Sequence, residues 1–221
     1  MAKIKKNTKQ QSKSGISPTL IIIVIVAAVL VVGGLILLNN QSTTAEADVS
    51  GFPYLGDENA PVVMLEYSDY GWPHCRDFVL DNFPLLDAEY IQTGKLKYIV
   101  HPYYLGNPSI GLAVEAAWCA QDQGKFFEYQ HVLYENQGIE LSPENLAGFA
   151  QEVGLDIEQF AQCLSNGTHR TDVAQATQAA ANRGVSSTPT FFINNRRVRG
   201  NEPYEVFQKL IEQELARAQW V

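Results

Sequence analysis

The sequence predicts an α/β fold with a mixed parallel and antiparallel sheet, a long helical insertion within it, and one membrane-spanning helix ahead of it. Three observations carry this. An extended run, a proline-led helix and a second extended run follow one another between residues 61 and 100. Residues 107–183 then read as almost wholly helical, and the chain closes on two short extended runs and an amphipathic helix. Helices and strands in that order bury their apolar faces only by packing in layers.

The first 19 residues hold Lys3, Lys5, Lys6, Lys9 and Lys13 and no acid. They precede nineteen consecutive residues, 20–38, that are only Leu, Ile, Val, Ala and Gly. As a helix this run reaches about 28 Å, close to the hydrocarbon thickness of a bilayer. Lysines on its amino side and the polar Asn39, Asn40 and Gln41 on the other place the N-terminus in the cytoplasm and the remainder outside. Ala45-Glu46-Ala47 has the small-x-small form of a signal-peptide cleavage site, so a cleaved leader is the competing reading. An anchor is preferred because a signal core usually has only ~7–15 apolar residues. Residues 39–50 lack large apolar side chains almost entirely and read as a polar tether. The expected location is the cell membrane, single-pass, with residues 51–221 extracytoplasmic.

Of sixteen Lys and Arg, five lie ahead of the apolar run, leaving eleven against twenty-four Asp and Glu, a formal charge of −13 for residues 39–221. A surface of that sign does not neutralise phosphates, which excludes a nucleic-acid partner.

Within the exported part, Pro61 to Asp69 reads as a first strand, and Leu96, Tyr98 and Val100, alternating with Lys97 and Ile99, as a second. The helix between them starts at Pro73, which suits a first turn, and ends before Gly94, with Pro84 expected to kink or break it. A strand-helix-strand unit of this length implies a parallel pair joined by a right-handed crossover. Ser142-Pro143-Glu144 and Asp156-Ile157-Glu158 open helices with a capping side chain and an acid in the first turn. Gly124, Gly138, Gly154 and Gly167 separate the segments, giving about four or five short helices. Thr190 to Asn194, a turn at Asn194-Asn195 and a run to Arg199 read as an antiparallel hairpin, followed by a helix from Pro203 to about Ala218.

Several runs now carry a family resemblance. Gly56 to Pro61, Ser68-Asp69-Tyr70, Pro73-His74-Cys75, Gln123 to Phe127 and Gly184 to Ile193 resemble, in order, the motifs of DsbA-type thiol-disulfide oxidoreductases. The resemblance runs from about Gly51 to the C-terminus and implies a thioredoxin-like fold with an inserted helical domain. It also exposes a departure. Where that family carries Cys-x-x-Cys, this chain has Trp72-Pro73-His74-Cys75. The first cysteine is the nucleophile that forms the mixed disulfide, made acidic by free N–H groups at the helix start, and its partner one turn later resolves it. An indole does neither, so dithiol redox cycling is expected to be lost.

The resemblance names the remaining candidates. Cys75 is left as a monothiol, with a reactive role and an inert buried one both open. His74 beside it is either a stabiliser of a thiolate or a solvated loop residue. Thr188-Pro189 corresponds to a cis peptide facing the motif, and the backbone at Ser187 and Thr188 to the edge that pairs with an extended substrate. Trp72 would add a broad apolar face there. The implied partners are exported polypeptides or thiol proteins, and a peptide-binding or chaperone-like module without catalysis is the alternative function.

Cys119 and Cys163 sit on predicted helices of the insertion. In an oxidising compartment a bridge between them leaves Cys75 as the odd thiol, and similar extra bridges occur in some family members; two unpaired core cysteines are the other reading. His101, His131 and His169 are isolated in sequence and show no metal-ligand spacing. No cofactor and no metal is expected, and nothing in the sequence fixes an oligomeric state.

Overall fold

The computed structural model describes residues 49–218. The basic N-terminus, the apolar run 20–38 and the tether up to residue 48 lie outside the described residues, and with them the expected anchor. The chain divides after Glu46, so everything described belongs to the second unit, Ala47–Val221. Among the described residues no helix is long and apolar enough to cross a membrane.

Five strands form one sheet: β1 (Tyr54–Leu55), β2 (Val62–Ser68), β3 (Leu96–Pro102), β4 (Thr190–Ile193) and β5 (Arg196–Arg199), in the order β1-β3-β2-β4-β5. The pair β2/β3 is parallel, with Val62 opposite Leu96 and Ser68 opposite Pro102. The other three pairings are antiparallel, so the sheet is mixed. Helix α1 (73–91) crosses from β2 to β3; α2 (Pro108–Gln121), α3 (Phe126–Glu135), α4 (Pro143–Glu152), α5 (Ile157–Asn166) and α6 (Arg170–Asn182) form the insertion between β3 and β4. Helix α7 (Tyr204–Ala218) closes the chain.

Strand periodicity divides the interior in two. Met64, Tyr98, Val100, Phe191 and Ile193 face the larger core, shared with Phe78 and Leu86 of α1, with α2 to α5, and with Phe207 and Ile211 of α7. Leu65, Tyr67, Ile99 and Phe192 face a smaller core closed by Ala180 of α6, Val185 and Tyr103. Because β2 is buried on both faces and flanked on both sides, its carboxyl end lies at the centre of the sheet's edge. In open α/β sheets that edge is where ligands bind.

Pro84 does not break α1. The helical run is continuous, with two wide turns, Phe78–Asn82 and Asp87–Ile91, on either side of the four residues Phe83–Leu86 that contain the proline. In these turns Phe83 N–H reaches back to the Phe78 carbonyl and Gln92 N–H to that of Asp87 at 2.9 Å. A five-residue span relieves the crowding and the missing donor that a proline imposes on a normal turn.

The capping side chains behave as their chemistry requires: Ser142 accepts from Asn145 N–H at 3.2 Å and Asp156 from Gln159 N–H at 3.0 Å. At the hairpin only Asn194 takes a positive φ, 47°. Its amide also extends the sheet, since Val63 N–H donates to Asn194 Oδ1 at 2.9 Å and Asn194 N–H to the Val63 carbonyl at 2.7 Å.

Candidate functional site

The turn that ends β2 sets the start of α1. Asp69 folds it by accepting Gly71 N–H on its carboxylate at 2.8 Å and Trp72 N–H on its carbonyl at 3.1 Å. Gly71 packs closely here: a Cβ there would lie 2.7 Å from Cδ1 of Ile110 on α2, so a larger residue would require that side-chain end to shift. Trp72 is then the N-cap, in extended backbone, with Pro73 behind it in the first turn. Its carbonyl accepts the Cys75 N–H at 3.0 Å, but its side chain caps nothing. The indole is 50% exposed, and the exposed His74 ring stands 5.8 Å from it, edge on.

Cys75 faces the opposite way. It is 0% exposed, a free thiol within the larger core. Burial pushes its pKa up to about 12, and the nearby Glu66 adds to the rise. The Asp69 backbone and the Thr188 and Ser68 hydroxyls beside the sulfur favour the thiolate without offsetting burial. Of the two roles left open for Cys75, its surroundings favour the inert buried one: the helix-end potential that would favour a thiolate is overridden, because it acts on a group that the core has stripped of water. His74 is directed at Trp72 and solvent, while hydroxyls occupy the thiol's surroundings.

The loop before β4 completes the site. Thr188-Pro189 is a cis peptide. Thr188 is buried with its hydroxyl on Cys75, Pro189 is buried, and Ser187 is exposed. The Ser187 carbonyl accepts the Thr190 hydroxyl at 2.7 Å, and the Pro189 carbonyl accepts Gly200 N–H at 2.8 Å. Thus Cys75 and the Thr188-Pro189 turn meet in space although more than a hundred residues separate them.

Sequence reading missed the polar chain beneath Cys75. Glu66, in mid-β2, is fully buried on the same face as Met64 and Ser68. Ser68 donates to Glu66 Oε1 at 2.7 Å and in turn takes the Tyr134 hydroxyl at 2.6 Å, while Tyr98 donates to the other carboxylate oxygen. Burial raises Glu66 to about 7, against these two hydrogen bonds. The signal was present in the strand's alternation: an acid at an inward-facing position of a buried strand requires partners.

The insertion holds the second cysteine region. Cys119 of α2 and Cys163 of α5 are joined by a disulfide, with Cα atoms 5.9 Å apart. His169, isolated in sequence, is not isolated in space. It lies against this bridge, its ring nitrogens 2.8 Å from Asp122 and 3.1 Å from Asp172. His101 is a buried core residue stacked on Phe52 at 4.2 Å, and burial lowers its pKa to about 4.

A sequence profile described as thioredoxin matches residues 49–213. Disulfide bond formation protein D of Bacillus subtilis is 26% identical over 182 residues, covering 79% of this chain and 82% of that protein. A Na(+)/H(+) antiporter NhaA 1 of Salinispora arenicola is 32% identical over 163 residues, 71% of this chain. The chain spans only 24% of that antiporter's length and 22% of a related one from Salinispora tropica. Among solved structures, oxidised BdbD of Bacillus subtilis superposes with a TM-score of 0.72 at 24% identity, covering 77% of this chain and 96% of that one. Wolbachia pipientis alpha-DsbA1 gives 0.71 at 24% identity, covering 80% and 98%. With a thioredoxin profile matched over residues 49–213, the chain belongs to the thioredoxin family, and its sheet order, cis-proline loop and helical insertion give it the fold of the DsbA-type structures.

Proposed function

We propose that this chain is a membrane-anchored, extracytoplasmic DsbA-type protein that binds extended polypeptides at the Thr188-Pro189 platform without cycling a dithiol. The observation that carries the reading is the division of labour in the first turn of α1. The residue presented to solvent is Trp72, which has no sulfur, and the one sulfur, Cys75, is fully buried with its pKa pushed up to about 12. At neutral pH a thiol of that pKa is almost entirely protonated, and exchange proceeds through the thiolate. Monothiol exchange through Cys75, the other reading, would require the first turn to open.

The surroundings suit binding. Leu105 is exposed and its N–H is tied to the Asp69 carboxylate, while Gln137 donates to the Tyr70 carbonyl at 2.9 Å and leads into exposed Ile139. Segments anchored to the turn before Trp72 therefore bring apolar side chains to the same side of the fold. Apolar faces beside an extended backbone edge accept a peptide strand with little sequence selectivity. The relatives support the neighbourhood of function, since one is named for disulfide bond formation. Residues 20–38 would hold the domain at the outer membrane–water boundary, where exported chains emerge.

The test uses full-length protein and a fluorescent extended peptide. Trp72→Ser is expected to weaken binding about tenfold, as loss of a buried aromatic anchor does; unchanged affinity would remove the reading. Insulin reduction by the wild-type protein should stay at background, and Trp72→Cys should raise it well above. A Trp72→Cys protein that remains inert with its thiols correctly paired would show that the site has been misplaced.

A further inference from the structure

The cysteine pair in the insertion is set in an unusual group of donors. Asp122 follows the last turn of α2, and His169 is the N-cap of α6. Cys119 Sγ, Cys163 Sγ and a ring nitrogen of His169 all lie within 4.8 Å of one another. Asp122 Oδ2 is 2.8 Å from His169 Nε2 and 3.8 Å from Cys163 Sγ. On the far side of the ring, Asp172 Oδ2 is 3.1 Å from Nδ1. The ring is enclosed, 14% exposed at the side chain, and Trp118 stacks over it at 5.8 Å.

From this geometry we infer a latent zinc site, formed by Cys119, Cys163, His169 and Asp122 when the disulfide between the two cysteines is reduced.

The chemistry of the donors supports each part. A dithiol reductant would break the S–S bond, pass two electrons and two protons to the cysteines, and leave as its own cyclic disulfide. Two thiols, one imidazole nitrogen and one carboxylate oxygen then converge from three helical segments. Zinc would displace both thiol protons and the proton held between His169 Nε2 and Asp122, binding both sulfurs, Nε2 and Oδ2. Zinc takes four ligands of these types in a tetrahedron, and thiolate with imidazole favours it over magnesium or calcium. Asp172 would remain on Nδ1, fixing the tautomer that leaves Nε2 free to ligate. A carboxylate behind a metal-binding histidine is the recurrent arrangement around such ions. Zinc–sulfur bonds of ~2.3 Å at the tetrahedral angle need the sulfurs about 3.8 Å apart. With Cα atoms 5.9 Å apart, rotation of the two side chains reaches that separation. The charge balance also favours a cation: two thiolates and two acids surround a single imidazole. In the bridged state the sulfurs are neutral and joined to each other, and each ring nitrogen of His169 faces one carboxylate, so oxidation would close the site and reduction open it.

The experiment is zinc titration of full-length protein, oxidised and after phosphine reduction, against a chelating indicator, with cobalt substitution as a spectroscopic reporter. The reduced protein is expected to take one equivalent and to give the visible bands of tetrahedral thiolate-bound cobalt, whereas the oxidised protein takes none. His169→Gln should weaken binding at least 100-fold. Asp172→Asn, which removes no ligand, should weaken it about 10- to 100-fold. A reduced protein that loses its near-ultraviolet circular dichroism and recovers it with zinc would also support the site, because binding is then linked to folding. The inference is overturned if reduced protein takes up no zinc, or if His169→Gln binds as tightly as wild type.

Discussion

The two cysteine regions of this molecule place their sulfurs in different surroundings. Cys75 lies in the first turn of a helix yet fully inside the core, beside a buried carboxyl, and its pKa is pushed up to about 12. Cys163 lies in the second turn of α5, partly exposed, its sulfur near Asp122 and His169. The helix start is the place that motif reading marks as reactive; the insertion is the place where sulfur meets charge and solvent. Position on a helix thus sets only a bias of a few tenths to one or two kcal/mol, while complete desolvation of a thiolate costs more.

Removing the insertion's bridge tests that contrast most strongly. The bond closes a loop across a sequence separation of 44, for which loop entropy gives about 4 kcal/mol. The double variant Cys119→Ala/Cys163→Ala should lower the thermal midpoint accordingly in calorimetry, whereas Cys75→Ala should cost about 1 kcal/mol, the loss of one small buried group. Equal losses would erase the distinction between a stapling pair and a packed thiol.

The polar chain under Cys75 makes the first region sensitive to pH in a defined direction. Glu66 has a folded pKa raised from 4.5 to about 7, so the folded state holds its proton longer than the unfolded state does. Its contribution to stability is full below about pH 4.5 and is lost as the pH rises through 7, on the order of 3 kcal/mol in all. Glu66→Gln should flatten that decline in urea unfolding measured from pH 5 to 8. His101 has the opposite sign. Burial lowers it from 6.5 to about 4, so stability falls as the pH drops from 6.5 towards 4. A wild-type profile that keeps rising from pH 7 to 8 would contradict the placement of Glu66.

The smallest effect belongs to the turn that aims Trp72. Gly71→Ala places a methyl 2.7 Å from Ile110 Cδ1, the end of a flexible side chain, and should cost about 1 kcal/mol. Ile110→Val removes that atom and should recover most of the loss in the double variant. Additive losses in such a cycle would place the strain elsewhere.

Much of this architecture was legible because local rules and tertiary packing agree. Val62–Ser68 and Leu96–Pro102 are short, largely apolar runs rich in Val, Ile and Tyr, Pro73 stands where a helix starts, and the asparagine turn closes the last hairpin. β1 was not legible: two residues, Tyr54–Leu55, carry no periodicity, and only pairing with β3 makes them a strand. Pro84 marked an irregular stretch but not an end, since the chain widens its turns there instead of breaking the helix. At the site, Trp72, Cys75 and the Thr188-Pro189 turn could be named from motif order. Their environment could not. Whether Cys75 faces water depends on the core it shares with residues of other elements, among them Tyr98 of β3 and Tyr134 of α3. Likewise His169 meets Asp122 across 47 positions, a contact that no local spacing announces.

Native alkylation followed by mass analysis bears most directly on the account, because it asks the folded protein for an accessible sulfur. Full-length wild-type protein at pH 7, treated with a small maleimide, is expected to stay unmodified at Cys75 for hours and to gain one adduct there promptly on unfolding in guanidinium. Labelling of Cys75 in the folded state at the rate of a free thiol in solution would contradict the claim that this helix start offers an indole to its partners and keeps its sulfur inside.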